Sequence, residues 1–172
     1  MQTIVRPATY DDTERIMEII ASAQQALAEL SIDQWQDGYP TLASIEEDIE
    51  RGVGYAACID SEVVGYAAIV LTGEDAYRQI DKWATCDNYV VVHRLCCAKE
   101  HRRSGIAMKL MRFAADRARK EGYNAFRIDT HKGNIRMLAM LRKLGFESRG
   151  VVHYDSGERI AFDLNLDLTN MI

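Results

Sequence analysis

The sequence predicts a single-domain α/β protein of the α+β type, with a mixed, mostly antiparallel sheet of about seven strands and helices on both faces. Three observations predict this fold class: short apolar runs that alternate with helical stretches, two hairpin patterns, and one strand–helix–strand crossover. The chain has 172 residues, 48% of them hydrophobic, which suffices for one core. We expect the order β-α-α-β-β-β-α-β-α-β-β in one domain over residues 1–172.

The first third of the chain predicts a strand and two helices joined by a loop. Residues 3–6 form a short strand, and Asp11 or Asp12 can cap a helix whose apolar residues recur at helical spacing. The run SIDQWQDGYP, residues 31–40, interrupts that period and is typical of a loop. A second, acidic helix is expected near residues 42–51.

The middle of the chain predicts a hairpin, a loop, a strand and a helix. Residues 53–59 and 63–71 are apolar runs on either side of a polar turn, as in an antiparallel hairpin. The polar stretch at residues 72–88 is a candidate inserted loop. Residues 88–97 then predict a strand, and residues 105–121 predict a helix with an apolar stripe.

The last third predicts a strand, a capped helix and a closing hairpin. The strand covers residues 125–130, and Asn134 can cap the helix that follows. Gly145 is expected to end that helix with a left-handed glycine cap. Residues 146–153 and 159–166 predict the final two strands.

Charge and hydropathy limit the partners. The net charge is −5, so the chain lacks the electrostatic footprint of a nucleic-acid binder. No apolar run approaches ~18 residues and the first residues have no signal-peptide core, so we expect no membrane partner and a cytoplasmic protein. The four cysteines form no CxxC pair, which predicts neither a disulfide framework nor a metal site.

The strongest chemical signal follows the strand at residues 88–97. A basic turn at residues 99–103 leads into a helix that opens with the small residues Gly105 and Ala107. The first amides of a helix lack intrahelical partners and lie at the positive end of its dipole, which favours phosphate. An ordinary strand–turn–helix with a solvated basic turn fits the same residues, and they leave both interpretations open. Neither the Walker spacing nor GxGxxG is present.

This segment resembles the GNAT superfamily of acetyl-CoA-dependent N-acetyltransferases. The family motif Arg/Gln-x-x-Gly-x-Gly/Ala, directly after a strand, stands here as RRSGIA at residues 102–107. A second motif, an Asn that opens a helix ending in Leu-Gly-Phe, stands as Asn134 and residues 144–146. The two motifs have the family's usual separation and the element order matches, so the resemblance covers nearly the whole chain. It implies a GNAT-like acyl-CoA N-acyltransferase fold.

The resemblance also implies how acetyl-CoA is bound. The main chain at Leu95 and Cys97, with Cys96 between them, would pair with the pantetheine arm, because an unpaired strand edge can accept an amide-bearing ligand. Asn134 would contact the cofactor, cap its helix, or do both. The residues implied to hold the pyrophosphate are those of the turn and the first helical turn: Arg102, Arg103, Ser104, Gly105, Ile106, Ala107 and Met108.

His93 is the candidate general base. An alkyl amine with a pKa near ~10.4 is almost fully protonated at pH 7, and only its neutral form attacks a thioester. His93 lies on the strand that leads to the cofactor turn, and an unperturbed histidine pKa near ~6.5 suits this task. Some similar enzymes use a histidine or glutamate on this strand. A histidine in an apolar strand is also commonly a core residue, and both interpretations stay open.

The residue at the family's usual general-acid position differs in this chain. Many members place a Tyr four residues before the Gly of Leu-Gly-Phe, where this chain has Leu141. Tyr154, Tyr89 or water would then protonate the departing thiolate, and Tyr154 is our candidate. A thiol with a pKa near ~8.5 is already a good leaving group, so turnover does not require this Tyr. We interpret Cys96 and Cys97 as small apolar residues rather than acyl-carrying nucleophiles.

The loop at residues 31–40 is the candidate acceptor surface. It concentrates polar and aromatic groups, among them Gln34, Trp35 and Tyr39, and such loops are common binding surfaces. The family usually builds its acceptor pocket from the first helices and their loop. Trp35 and Tyr39 can equally pack the loop onto the body.

The leading hypothesis is an N-acetyltransferase that moves the acetyl group of acetyl-CoA to a primary amine of a small molecule or protein, by direct attack in a ternary complex and without a metal. The alternative is an acyl-CoA-binding sensor or degenerate family member without efficient transfer, which Leu141 favours. The acidic balance and missing P-loop disfavour a nucleotide- or nucleic-acid-binding module. Dimers are common in the family, so a homodimer is open.

Overall fold

A seven-stranded mixed sheet organises the fold in the computed structural model, which describes residues 3–71 and 73–167. Its strands in chain order are β1 (Thr3–Pro7), β2 (Gly54–Ile59), β3 (Glu62–Val70), β4 (Tyr89–Cys97), β5 (Ala125–Thr130), β6 (Glu147–Tyr154) and β7 (Gly157–Asn165). The helices are α1 (Thr13–Ala28), α2 (Leu42–Glu50), α3 (Ile106–Lys120) and α4 (Ile135–Leu144). The element order and the fold class predicted from the sequence are confirmed.

The sheet has the spatial order β1-β2-β3-β4-β5-β7-β6, and β4 and β5 are its parallel neighbours. These two strands pair from Tyr89 and Ala125 as far as Val91 and Arg127. Beyond that pairing β4 continues to Cys97 and β5 to Thr130. A gap therefore opens between the carboxyl halves of β4 and β5, which we call the β4–β5 gap.

Helices α3 and α4 cover one face of the sheet. The apolar stripe predicted for α3 is buried there, with Leu110, Met111 and Ala114 inaccessible to solvent. Gly65 on β3 lets the start of α3 approach closely, since a Cβ at this position would lie 2.6 Å from Cγ2 of Ile106. The position of the first turn of α3 is thus fixed against the sheet.

Helices α1 and α2 cover the other face, together with the loop between β3 and β4. Ile16, Ile19 and Ile20 of α1 and Ile45 of α2 form the buried contacts. The predicted candidate loop is present and contains a short 3-10 helix at Asp75–Gln79, while Thr72 lies outside the described residues.

Arg127 anchors this loop to the sheet. Its side chain is 2% exposed, and its guanidinium carbon lies 4.3 Å from the ring centroid of Trp83 and 4.1 Å from that of Tyr89. The guanidinium also donates to the carbonyl oxygens of Thr85 and Cys86, each at 2.9 Å. Stacking and hydrogen bonding of a buried arginine hold the loop over β4 and β5.

The predicted caps of α4 are confirmed, and the predicted cap of α1 is wrong. Asn134 caps α4 through its side chain, and Gly145 ends it with φ of 86°. Asp12 stands at the start of α1 but makes no side-chain cap to this helix. Its Oδ2 instead accepts the amide of Thr9 at 2.8 Å, in the capping box of the short 3-10 helix Tyr10–Asp12 that precedes α1. The carboxylate also accepts two hydrogen bonds from Arg6, at 2.7 and 2.8 Å, because an arginine gives a carboxylate a bidentate, charge-assisted partner.

Within the described part of the chain, no helix combines the length and apolar character needed to cross a bilayer.

Candidate functional site

The open edge of β4 faces the β4–β5 gap. The amide of Ala98 donates to the carbonyl of Val64 on the β3 side, at 2.8 Å. Successive residues of a strand direct their main-chain groups to opposite edges, so those of Cys97 and Leu95 face the gap while those of Cys96 face β3. The structure therefore leaves the main chain of Leu95 and Cys97 at the unpaired edge named from the sequence.

A bulge interrupts β4 just before this edge. Ala68 pairs with His93 and Tyr66 pairs with Cys96, so β4 has one residue more than β3 between these pairs. Arg94 adopts a left-handed conformation there, with φ of 53°. The extra residue lets His93 and Arg94, although consecutive, both reach groups on the α1–α2 side of the sheet.

The start of α3 presents main-chain donors beside Gly105. Gly105 has φ of +89°, and no atom lies within 4 Å of a Cβ built there. The amides of Ile106, Ala107 and Met108 belong to the first helical turn, which lacks intrahelical acceptors. Glycine supplies the left-handed conformation and keeps the space before these amides clear.

The neighbouring residues of the turn are used mainly for internal contacts. Arg102 donates from its guanidinium to the carbonyl and hydroxyl oxygens of Ser22 on α1, at 3.0 and 3.1 Å. Ser104 donates its amide to the carbonyl of His101 at 3.3 Å. Arg103 is exposed with φ of 66°. Of the candidate phosphate-binding set, the structure thus brings together Gly105 and the amides that follow it, whereas Arg102 and Ser104 have partners of their own.

The remaining candidates on the cofactor side have identifiable local roles. Oδ1 of Asn134 accepts the amide of Met137 at 3.2 Å, which is the cap of α4. Burial raises the pKa of the Cys96 thiol to about 12 and raises that of Cys97 as well. Thiols with raised pKa values are poor nucleophiles at neutral pH, so this chemistry agrees with a packing role for both.

His93 lies on the opposite face, next to Glu74 of the β3–β4 loop. Its side chain is 26% exposed, and Nε2 lies 3.4 Å from Oε2 of Glu74. Burial, and then the nearby charge of Arg94, lower the pKa of His93 to about 4. The imidazole is therefore neutral at pH 7. This differs from the unperturbed value used in the sequence argument, because a partly enclosed ring loses the hydration that stabilises its charged form.

Arg94 connects α2 to the loop at residues 31–40, which is the candidate acceptor surface. Its Nε donates to Oδ2 of Asp48 at 2.7 Å, and a second guanidinium N–H bonds to the other carboxylate oxygen. The hydroxyl of Tyr66 donates to the same carboxylate at 2.8 Å, and Arg94 also donates to the hydroxyl of Tyr39. Asp48 is 1% exposed, and these hydrogen bonds compensate its carboxylate for the loss of contact with water. Tyr39 is thereby held beside β4.

Asp129 on β5 occupies the corresponding position across the β4–β5 gap. It follows Arg127 by two residues, as His93 follows Val91, and those residues pair. Its Oδ2 accepts hydrogen bonds from the hydroxyls of Tyr77 and Tyr154, each at 2.9 Å. Burial raises the pKa of Asp129, and burial together with Asp129 raises that of Tyr154. The hydroxyl proton of Tyr154 is thus engaged with Asp129.

The three candidate acceptor residues in the loop at residues 31–40 differ in how far they are buried. Trp35 is partly buried and packs on the cluster beneath α1, and Gln34 is also partly buried. Tyr39 is 42% exposed. Of these three candidates, Tyr39 is the one that the structure ties to the β4 residues next to His93.

Three charged residues around His93 and the β4–β5 gap were not predicted from the sequence as site residues. Arg94 and Asp129 had a signal, since each is a charge inside a predicted apolar strand. Glu74 had none, because nothing in a polar loop marks which residue folds back onto the sheet. No group of three or more His, Cys, Asp or Glu within residues 3–71 and 73–167 is arranged to hold a metal ion.

A family model described as acetyltransferase (GNAT) family matches residues 16–146. The chain belongs to the GNAT family. A GNAT acetyltransferase structure from Streptococcus agalactiae is 30% identical, covers 95% of each chain and has a TM-score of 0.83. GNAT membership and the fold resemblance stated from the motifs are thereby confirmed.

More distant GNAT structures share the fold. The PaiA N-acetyltransferase of Thermoplasma acidophilum, solved in complex with coenzyme A, is 19% identical over 96% of this chain and 99% of that one, with a TM-score of 0.72. The yncA protein of Salmonella typhimurium, solved with acetyl-CoA, is 18% identical over 99% and 97%, with a TM-score of 0.70.

One curated relative matches over a shorter stretch. GCN5-related N-acetyltransferase 6, chloroplastic, of Arabidopsis thaliana is 36% identical over 61 residues. That stretch covers 36% of this chain and 21% of the plant protein. The chain therefore aligns with about a fifth of that relative's length.

Proposed function

We propose that this GNAT protein transfers the acetyl group of acetyl-CoA to a primary amine of a small molecule or protein, by direct attack in a ternary complex. The observation that carries the proposal is the β4–β5 gap. Main-chain donors border it on the α3 side, and a neutral His93 borders it on the acceptor side. A ligand threaded through such a gap would expose its end to groups on the other face.

The residues on the α3 side fit acetyl-CoA. The clear space at Gly105 and the amides after it suit a pyrophosphate, which a helix N-terminus favours. The open edge of β4 at Leu95 and Cys97 suits the amides of a pantetheine arm, which can pair with it as an added strand. When bound, acetyl-CoA supplies a thioester whose acetyl group a neutral amine can attack. The similar structures with coenzyme A or acetyl-CoA support this ligand.

His93 is suited to take a proton from the amine. Its imidazole is neutral at pH 7 and so has a lone pair available. An imidazole of low pKa is a weak base towards an alkyl ammonium. However, the amine nitrogen becomes much more acidic as it forms its new bond to carbon, and a weak base then suffices.

Departure of the thiolate needs little help from the protein. Leu141, at the usual Tyr position, is fully buried. The hydroxyl of Tyr154 donates a hydrogen bond to Asp129 at 2.9 Å, and the hydroxyl of Tyr89 accepts one from the amide of Glu74 at 3.1 Å. A thiol with a pKa near ~8.5 leaves readily, so water can supply the final proton. Tyr154 as the acid stays a prediction that is tested below.

The acceptor side favours a cation. Glu74 and Asp129 place carboxylates near the gap, and a primary amine arrives as its ammonium ion at pH 7. Tyr39, held by Arg94, offers an exposed aromatic ring near β4. A positively charged acceptor would therefore be attracted before it loses its proton.

The test is a calorimetric titration with acetyl-CoA, followed by a thiol-release assay against a panel of primary amines. Micromolar binding and amine-dependent release of CoA are expected. Binding without release across a broad panel would favour the acyl-CoA sensor instead, and no binding would contradict the proposal. A cytoplasmic location and a homodimer stay predictions, to be checked by cell fractionation and by light scattering.

A further inference from the structure

Glu74 reaches His93 from a loop that is far from it in sequence. The two side chains cover each other, with 24% and 26% of their areas exposed. The separation of Nε2 and Oε2 is 3.4 Å. The family motifs do not include this loop residue, and the function proposed above uses it only as one of two negative charges near the gap.

The loop fixes Glu74 through contacts at both its main chain and its side chain. The amide of Glu74 donates to the hydroxyl of Tyr89 at 3.1 Å. Its Oε1 accepts the amide of Ala76 at 3.2 Å, which caps the short helix Asp75–Gln79. One carboxylate oxygen is thus occupied by the loop itself, and this leaves Oε2 directed at His93.

Two further anchors keep the loop in place. Arg127 is stacked between Trp83 and Tyr89, and Tyr77 donates to Asp129. The loop is therefore anchored at several residues that follow Glu74 along the chain. A side chain held in this way suits a role that depends on orientation.

We propose that Glu74 is a positioning residue for His93: its carboxylate holds the imidazole N–H at Nε2 and leaves the Nδ1 lone pair to receive the proton of the attacking amine. This inference rests on the acetyl transfer proposed above. The proton moves from the amine nitrogen to Nδ1 and then to water, so no bond other than N–H is made or broken at the histidine. The carboxylate also stabilises the imidazolium while it exists.

Other charged residues also lie near His93, and their effects on its imidazolium form differ from that proposed for Glu74. Arg94 on β4 and Arg51 after α2 disfavour the imidazolium, whereas Asp48 on α2 favours it. Asp48 is already paired with Arg94 through two hydrogen bonds. Glu74 is the carboxylate that lies against the ring itself.

The test is a double-mutant cycle with the full-length protein, acetyl-CoA and an amine found in the thiol-release screen. Glu74→Gln keeps an oxygen for the Ala76 amide but removes the charge. We expect kcat to fall about 10- to 100-fold, which is a part of the ~10²–10⁴-fold that base catalysis supplies, with KM for acetyl-CoA unchanged. In the His93→Ala background, the same substitution should change kcat less than about 2-fold.

Glu158→Gln is the matched control. Glu158 lies 3.5 Å from Nδ1 of His153 in a pair whose side chains are 61% and 65% exposed. This substitution removes the same charge beside a histidine and should leave kcat unchanged.

The outcomes separate the inference from the proposed function. Equal losses from Glu74→Gln with and without His93, or a rise in the amine KM at constant kcat, would overturn the positioning role and leave acetyl transfer intact. Absence of amine-dependent turnover in the wild-type protein would overturn both.

Discussion

The two sides of the β4–β5 gap are built from different parts of the chain. On the α3 side the groups proposed to face the cosubstrate are main-chain amides and an open strand edge, with clear space at Gly105. On the proposed acceptor side they are side chains, and they come from β4, β5, β6, the β3–β4 loop and the α1–α2 loop. The first surface depends on backbone conformation, whereas the second depends on which side chains the fold brings together.

This difference means that the two surfaces can vary independently. A main-chain site tolerates many side chains as long as the helix start and strand edge persist. A side-chain site changes its specificity with each substitution, while the scaffold stays the same. One conserved architecture can therefore serve one cosubstrate and many acceptors.

The sharpest way to test the main-chain side is a pair of glycine substitutions on α3. Gly105 and Gly122 lie just outside opposite ends of this helix, both with positive φ and with no atom within 4 Å of a Cβ. Gly105→Glu should weaken CoA binding about 100-fold or more, because it places a carboxylate where a phosphate is expected. Calorimetry with CoA measures this loss.

Gly122→Glu is its control. It introduces the same residue in the same left-handed region, at a conformational cost of about 1–2 kcal/mol, but away from the helix N-terminus. Comparable thermal destabilisation with unchanged CoA affinity is expected. Equal losses of affinity in both variants would remove Gly105 from the phosphate site.

His93, on the proposed acceptor side, should make the free energy of unfolding depend on pH, whereas the main-chain groups of the α3 side do not titrate. Because the pKa of His93 is lowered to about 4, the unfolded chain binds more protons than the folded one between about pH 6.5 and 4. Stability must therefore fall as the pH decreases through this window, by about 3 kcal/mol from this residue. Urea unfolding at several pH values should show a weaker dependence in His93→Gln than in wild type.

His153→Gln, at a side chain that is 65% exposed, provides the comparison for that measurement. It measures what the loss of a solvent-exposed histidine does to the free energy of unfolding at each pH. If His93→Gln changed the pH dependence no more than this variant does, the ring of His93 would have to be solvated in the folded state.

The smallest expected effect concerns Tyr77 and Tyr154. It distinguishes a general acid from a tyrosine that only hydrogen-bonds to Asp129. Tyr77 and Tyr154 donate to the same oxygen of Asp129 at the same 2.9 Å distance. Tyr77→Phe and Tyr154→Phe should each lower kcat about 2- to 10-fold, as expected for one lost hydrogen bond. A loss of ~10²-fold or more that is specific to Tyr154→Phe would instead identify Tyr154 as the general acid.

The same division, between main-chain geometry and side-chain contacts, separates what the sequence predicted from what it did not. Gly105, Asn134 and Gly145 act through local backbone geometry, so neighbouring residues suffice to predict them. Strand and helix periods predicted the element order for the same reason. Asp12 was predicted wrongly because its partner, Arg6, comes from another element and offers a better contact than the helix amides.

The acceptor side could be predicted only in part. His93 and Tyr39 were named from residue type and position, but their partners were not. Glu74 lies nineteen residues before His93 in a loop whose path depends on the stacking of Arg127. Such tertiary contacts leave no periodic signal, and the lowered pKa of His93 comes first from its enclosure and only second from the charge of its neighbour Arg94.

The extra residue in β4 shifts the alternation of its side chains by one position, so odd-numbered residues face different sides of the sheet before and after it. Before Arg94, odd-numbered residues such as His93 point towards the α1–α2 side, and after it odd-numbered residues such as Cys97 point towards α3. Deleting one residue at this bulge would make the two strands equal in length between the Ala68–His93 and Tyr66–Cys96 pairs, so Cys96 would keep its pairing with β3. The strand would then be regular, and His93 and the residue after it would point to opposite faces, so the α1–α2 side would lose one of its two adjacent side chains. A protein engineer should therefore treat the length of β4 as a fixed quantity, even where its side chains can be changed.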